Sequence, residues 1–265
     1  MKKYHFLVGA PRSGNTVISS VLNQNRKICL TAQSPLCEIL YSLDKGKNEG
    51  SLSKILGNFP DNKSYNNIIK SLFDNYYSDW EQEIIFDRSP WGNPSHLKLL
   101  NKYFDFEFKF LILRRSLVEV FASFMKWCEE NPNNYINEAT NSGTVDEKFD
   151  YLFHPEGHLS KYMRSIVDIR KSTYFYHEIF YDEFINKPEE TIEKFYNAFG
   201  IDNYEHDFNN ISQLKLNGIK YDDSICGHNL HKLRPVLKKN SYDVEQYIPS
   251  HLIKKIEEIE SIAFP

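Results

Sequence analysis

Residues 4–22, YHFLVGAPRSGNTVISSVL, constrain this chain more than any other stretch. His5 to Val8 is an apolar run that predicts a short buried strand. Gly-Ala-Pro-Arg-Ser-Gly follows as a turn, and Asn15-Thr16 leads into a helix-compatible stretch from Val17 to Leu22. Strand, glycine loop and helix in succession aim backbone N–H groups and a helix N-terminus at an anion. Gly9, Gly14 and Thr16 stand on the spacing of a phosphate-binding loop, G-x-x-x-x-G-K-[ST]. Asn15, however, occupies the lysine position, and Arg12 sits inside the loop. The sequence therefore offers a phosphate cradle without the lysine of nucleoside triphosphate sites.

The rest of the chain alternates between the two periods. Strands are predicted at 28–31, 83–86, 108–113 and 174–180. Helices are predicted at 36–43, 66–77, 94–102, 117–129, 159–170, 188–199 and 251–262. FKFLIL, 108–113, is apolar nearly throughout, which suits a strand covered on both faces. Pro188 in a first turn and Gly200 beyond its end punctuate one helix clearly. Residues 44–63 are expected to be mostly loop with a short helix, and 131–158, rich in Asn, Gly and acidic residues, a long excursion. The stretch 201–249 carries no clear period. The fold class is α/β, a central parallel β-sheet flanked by helices on a P-loop-like plan.

Hydrophobic residues at 41% and aromatics at 15% supply a sizeable core and argue against disorder. A net charge of -4 argues against a general nucleic-acid binder, so any positive site is local. No apolar stretch approaches the roughly 20 residues of a membrane span, and no secretory leader is expected before the first strand. Cys29, Cys37, Cys128 and Cys226 form no C-x-x-C pair, which suggests free thiols in a reducing cytoplasm. His228 and His231 near Cys226 invite a zinc reading, but no second cysteine pair completes it, and no metal is expected.

Four predicted strands end in conspicuous polar residues: Arg12, Arg88, Arg115 and Tyr181. Ligands of open parallel sheets bind beyond the carboxyl ends of the strands, so these four are expected to share one edge. Ser123 follows Arg115 by about two helical turns at roughly 3.6 residues each. A guanidinium fork and a hydroxyl suit a phosphate monoester. Beside the glycine cradle, this pair points to a ligand with two anionic groups.

PRSGNT followed by VISSVL resembles the 5′-phosphosulfate loop, PRSGTT, of sulfotransferases that use 3′-phosphoadenosine 5′-phosphosulfate (PAPS). LRRSLVEVFAS resembles their 3′-phosphate motif, and DRSP at 87–90 their DKTP or KDP segment. YDEFINKPEETIEKFYNAFGI at 181–201 is similar to their Y-E-x-L…P…F-L-G-I stretch. The four motifs occur in order across residues 6–201, closest in flavour to the tyrosylprotein-type and bacterial branch. There are departures. Asn15 replaces Thr, Arg88 replaces Lys, and Ser116 follows the phosphate arginine in place of Asn or Asp. Gln33 stands where the tyrosylprotein branch has a catalytic Glu, and the cytosolic R-K-G signature is absent.

The resemblance implies one sulfotransferase-like domain over 1–265, with 131–158 and 202–265 covering acceptor and cofactor. It implies sulfuryl transfer from PAPS to a hydroxyl or amine, leaving 3′-phosphoadenosine 5′-phosphate (PAP). Arg12, Ser13, Gly14, Asn15, Thr16 and Val17 would hold the phosphosulfate. Arg115, Ser123 and Arg234 would hold the 3′-phosphate, with Lys238 and Lys239 nearby and Tyr181 against the nucleotide. Arg12 and Arg88 would act at the sulfuryl and leaving oxygens, with Asp87 orienting Arg88. Glu38, one turn beyond Gln33, is the candidate base, and His96 is a second. A small-molecule, glycan or peptide acceptor, no nucleic-acid partner and a cytoplasmic setting complete the expectation. A P-loop-like kinase or phosphotransferase, and a non-catalytic nucleotide-binding protein, are the alternatives.

Overall fold

The computed structural model describes residues 2–223, 230–239 and 243–265. Strands β1 (Lys3–Gly9), β2 (Ile28–Leu30), β3 (Ile84–Arg88), β4 (Phe110–Arg114) and β5 (Tyr176–Phe180) form a sheet in the order β2-β3-β1-β4-β5, every pair parallel. Helix α1 (Asn15–Leu22) follows β1. Helices α2 (Leu36–Gly46), α3 (Gly50–Asn58), α4 (Asn62–Lys70) and α5 (Leu72–Tyr76) lie between β2 and β3, and α6 (Pro94–Tyr103) precedes β4. Between β4 and β5 run α7 (Leu117–Glu130), α8 (Tyr135–Ala139), α9 (Val145–Phe153) and α10 (His158–Lys171). Helices α11 (Tyr181–Asn186) and α12 (Pro188–Phe199), a small hairpin β6 (Lys215–Leu216) and β7 (Ile219–Lys220), and α13 (Ser250–Ala263) complete the described elements.

Strand β1 takes the middle because both its faces are apolar. Tyr4, Phe6 and Val8 enter one cluster with Phe73, Trp91 and Phe110. Leu7 points the other way, to Ile18 and Val21 of α1 and Phe195 of α12. Phe6, Leu7 and Val8 are fully buried, and each such side chain contributes roughly 1.5–3 kcal/mol. A third cluster joins α7, α9 and α13 through Phe121, Phe149 and Leu252. Since β1 lies between β3 and β4, connections leave the sheet in opposite directions there, and the crevice this creates opens beyond the carboxyl ends.

The elements differ from expectation where local polar chemistry intervenes. The helix expected at 66–77 breaks at Ser71, whose hydroxyl donates to the Ile68 carbonyl and accepts from Asn75. Residues 44–63 are more helical than expected, although α3 buries none of its side chains. The excursion at 131–158 contains α8, capped by Asn134, and α9, opened by a Thr144–Glu147 capping box. The turn at Tyr181-Asp182 continues as α11. The end of α12 follows expectation: Gly200 adopts φ 64° as a left-handed cap. Among the described residues no helix is long and apolar enough to cross a membrane. Cys29, Cys37 and Cys128 are buried free thiols, while Cys226 and His228 lie outside the described residues.

A candidate active site at the carboxyl edge of the sheet

The loop after β1 is shaped by two left-handed residues, Arg12 at φ 72° and Gly14 at φ 87°. Arginine pays a steric penalty there, and the fold holds it. Ser13 N–H donates to the Ala10 carbonyl at 3.2 Å, and Arg115 Nη1 donates to the Arg12 carbonyl at 3.1 Å. Gly14 precedes α1 without any side-chain cap. The first amides of that helix therefore keep the orientation that attracts an anion. Asn15 folds inward. It is 3% exposed, and its Nδ2 donates to the Ala10 carbonyl at 2.8 Å, beneath the loop. Its side chain braces the cradle from inside, and only its backbone amide belongs to the outer face.

Arg88 ends β3. Its N–H donates to Thr31 Oγ1 at 2.7 Å, and its Nη1 donates to the Ala32 carbonyl at 2.8 Å and to Tyr221 Oη at 3.2 Å. The expectation that Asp87 orients Arg88 needs correction. Side chains alternate along a strand, so Asp87 points into the core, fully buried, and accepts from Tyr77 Oη and from Trp91 Nε1 at 2.6 Å. Burial pushes its carboxyl upward, against the pull of its hydrogen bonds.

Arg115 follows β4 with 5% of its side chain exposed. Its Nε donates to Glu119 at 2.9 Å, and its guanidinium lies 4.6 Å from the Tyr181 ring centre. Ser123 comes round on α7 as the helical repeat requires, but its hydroxyl accepts from Arg12 Nε at 3.0 Å. That bond joins the glycine-loop arginine to the α7 serine.

Residues 230–239 cross over this edge. Ile211 N–H donates to the Pro235 carbonyl at 2.6 Å, and Leu237 N–H donates to the Phe208 carbonyl at 2.9 Å. Lys239 reaches Asp182 at 2.7 Å and Glu119 at 3.2 Å, so it anchors this strap and does not face the cavity. Beneath the strap lies a cavity of about 980 Å³, counting its open mouth. Arg12, Arg88, Arg115, Lys232, Arg234 and Lys238 all line it, and no carboxylate is among its described lining residues.

A model of the sulfotransferase family matches residues 5–206. The chain belongs to the sulfotransferase family. It is thus a sulfotransferase, an enzyme that transfers a sulfuryl group. Similar solved structures include the sulfotransferase domain of the Synechococcus PCC 7002 olefin synthase, at 16% identity and a TM-score of 0.54, covering 100% of this chain and 97% of that one. The sulfotransferase domain of the curacin biosynthetic pathway is 13% identical with a TM-score of 0.52, covering 98% and 97%. Mouse sulfotransferase SULT7A1, complexed with PAP, is 15% identical with a TM-score of 0.60, covering 99% and 83%. At these identities the likeness is one of fold. No curated protein sequence matches significantly.

Within this sulfotransferase the tertiary structure gathers most of the residues singled out by sequence. Arg12, Gly14, Asn15, Thr16, Val17, Arg88, Arg115, Ser123, Tyr181 and Arg234 all line the cavity. Ser13 is buried at 2% exposure beneath the loop. Glu38 is exposed on α2 and does not line the cavity. His96 is buried, with Nδ1 3.3 Å from Cys37 Sγ and 3.1 Å from the Pro90 carbonyl. Nothing in 131–158 lines the cavity. Sequence reasoning weighed His231 only as a metal ligand and missed Tyr221 and Asp223. Among the described residues no group of three or more His, Cys, Asp or Glu could hold a metal.

Proposed function

We propose that this sulfotransferase takes PAPS as donor and passes the sulfuryl group to a hydroxyl or amine of a small-molecule, glycan or peptide acceptor. The observation that carries the reading is a cationic cavity lined together by the glycine loop, Arg115 and Ser123. A donor with a 5′-phosphosulfate and a 3′-phosphate presents two anionic groups, and this lining offers two places for them. The amides of Gly14, Asn15, Thr16 and Val17 and the α1 dipole suit the 5′ end. Arg115 and Ser123, with Arg234 from the strap, suit the 3′-phosphate. Asn15 counts against a nucleoside triphosphate, because the side chain at the lysine position is turned under the loop.

Catalysis in such a site is largely positioning and preorganised charge. Arg12 and Arg88 are the residues for the sulfuryl and leaving oxygens. Arg88 supplies charge and hydrogen bonds, and a guanidinium is a poorer proton donor than a lysine ammonium. The reading requires no metal, since arginines provide the positive charge. The buried free thiols support a reducing, cytoplasmic setting.

Calorimetry with PAP, 5′-AMP and Mg-ATP tests the donor. PAP is expected to bind tightly through its 3′-phosphate, and a preference for Mg-ATP sinks the reading. Turnover of PAPS over a panel of alcohols, phenols and amines then tests catalysis. Arg115→Ala is expected to weaken PAP by about 10–100-fold, the worth of a hydrogen bond to a charged group. 5′-AMP should lose much less. Equal losses for the two ligands reject the 3′-phosphate role.

A further inference from the structure

The donor reading leaves open which group takes the acceptor's proton, and this inference rests on that reading. We propose that His231 is the general base, with Asp223 and Tyr221 as the positioning residues that fix its tautomer and plane. His231 sits on the strap, three residues before Arg234, and lines the same cavity as Arg12 and Arg88. Its Nδ1 bonds to Asp223 Oδ1, and its backbone N–H donates to Asp223 Oδ2 at 3.1 Å. Both carboxylate oxygens of Asp223 thus engage one residue. An Nδ1–H held by a carboxylate leaves Nε2 as the lone-pair nitrogen. Among the described residues nothing bonds to Nε2.

The ring plane is fixed as well. His231 stacks on Tyr221 with centres 3.7 Å apart and planes 5° from parallel. Tyr221 Oη donates to the Ala32 carbonyl at 2.7 Å, the same carbonyl that accepts from Arg88, and itself accepts from Arg88 Nη1. The imidazole is therefore tied through one tyrosine to the arginine at the end of β3.

The groups facing His231 are Asp223, Tyr221, Arg88 and Arg12, with Lys232 next in the chain. Burial lowers the imidazole pKa and Asp223 opposes this, while Arg88 and Arg12 lower it further. The balance favours neutral imidazole, the form that can accept a proton. In the step, the acceptor O–H proton moves to Nε2 as the acceptor oxygen bonds to sulfur. The bond from sulfur to the bridging phosphate oxygen breaks, and PAP leaves with its electron pair. The imidazolium then releases its proton to water. Glu38 and His96 offer no such route, one lying off the cavity and the other packed against Cys37 and Pro90.

A dyad that merely latched the strap would also matter for activity, so acceptor acidity is the discriminating variable. The experiment uses PAPS and an acceptor series from aliphatic alcohols to a nitrophenol already ionised at the assay pH. His231→Gln is expected to lower kcat/KM for the alcohols by about 10²–10⁴-fold, the range of general-base catalysis. The loss should shrink toward nothing for the ionised phenol, which needs no base, and PAP affinity should hold. Asp223→Asn should lower the plateau and move the acid limb of the pH profile to lower pH, because the carboxylate favouring imidazolium is gone while both arginines remain. A loss of equal size across the series overturns the base role, as does full activity with alcohols or a parallel collapse of PAP affinity. Wild-type protein that fails to bind PAP overturns the donor reading and this proposal with it.

Discussion

Arg88→Ala is expected to lower turnover by about 10²–10³-fold, as loss of one preorganised charge-stabilising donor does. Its PAP affinity should change little. The guanidinium is held at the cavity wall by the Ala32 carbonyl and Tyr221 Oη. In the proposed mechanism it would meet developing charge without reorganising. Arg88→Lys keeps the charge but cannot reproduce a fork between two oxygens, so it should recover only part of the rate. Steady-state kinetics with PAP calorimetry on the same preparations checks both claims, and unchanged turnover removes Arg88 from the mechanism. Because Arg88 also braces Tyr221 beneath His231, Arg88→Ala and His231→Gln should combine less than additively.

Gly14→Ala is expected to abolish donor binding. The residue sits at φ +87°, where a side chain costs about 1–2 kcal/mol. The new methyl would lie 2.7 Å from Tyr181 Cε2 and closer still to Cδ2. Tyr181 is 5% exposed, with Arg115 against its ring, so it cannot swing away freely. Strain and overpacking together predict a stability loss of about 2–5 kcal/mol. PAP affinity should fall by more than the fold-change of Arg115→Ala, because the whole cradle shifts. Thermal unfolding and calorimetry measure the two effects. Tyr181→Ala removes the atoms of the clash, so Gly14→Ala and Tyr181→Ala should combine less than additively in thermal unfolding. Wild-type affinity in Gly14→Ala would show that this loop is no cradle.

Much of the site was legible because a parallel sheet converts chain order into place. Each strand end marks the same edge, so Arg12, Arg88, Arg115 and Tyr181 could be assigned together before any contact was known. Asn15 shows the limit. Its position on the loop was plain, but whether its side chain faced ligand or core depended on the space beneath Ala10. Asp87 failed for a related reason: adjacency to Arg88 in sequence puts it on the opposite face of the strand. Glu38 was placed by offset along a helix, and α2 turns that position toward solvent.

His231 was hardest to read. Asp223 precedes it by eight residues and Arg88 by more than a hundred. Nothing local in HKLR distinguishes a base from a solvated patch. By itself the sequence determined the α/β alternation, the glycine cradle, the missing lysine and the strand-end arginines, since these rest on short-range periodicity and backbone geometry. Only the tertiary structure brought the strap over the edge, joined Arg12 to Ser123 and stacked His231 on Tyr221. Such contacts depend on how separate elements pack and on which polar groups find partners when water is excluded.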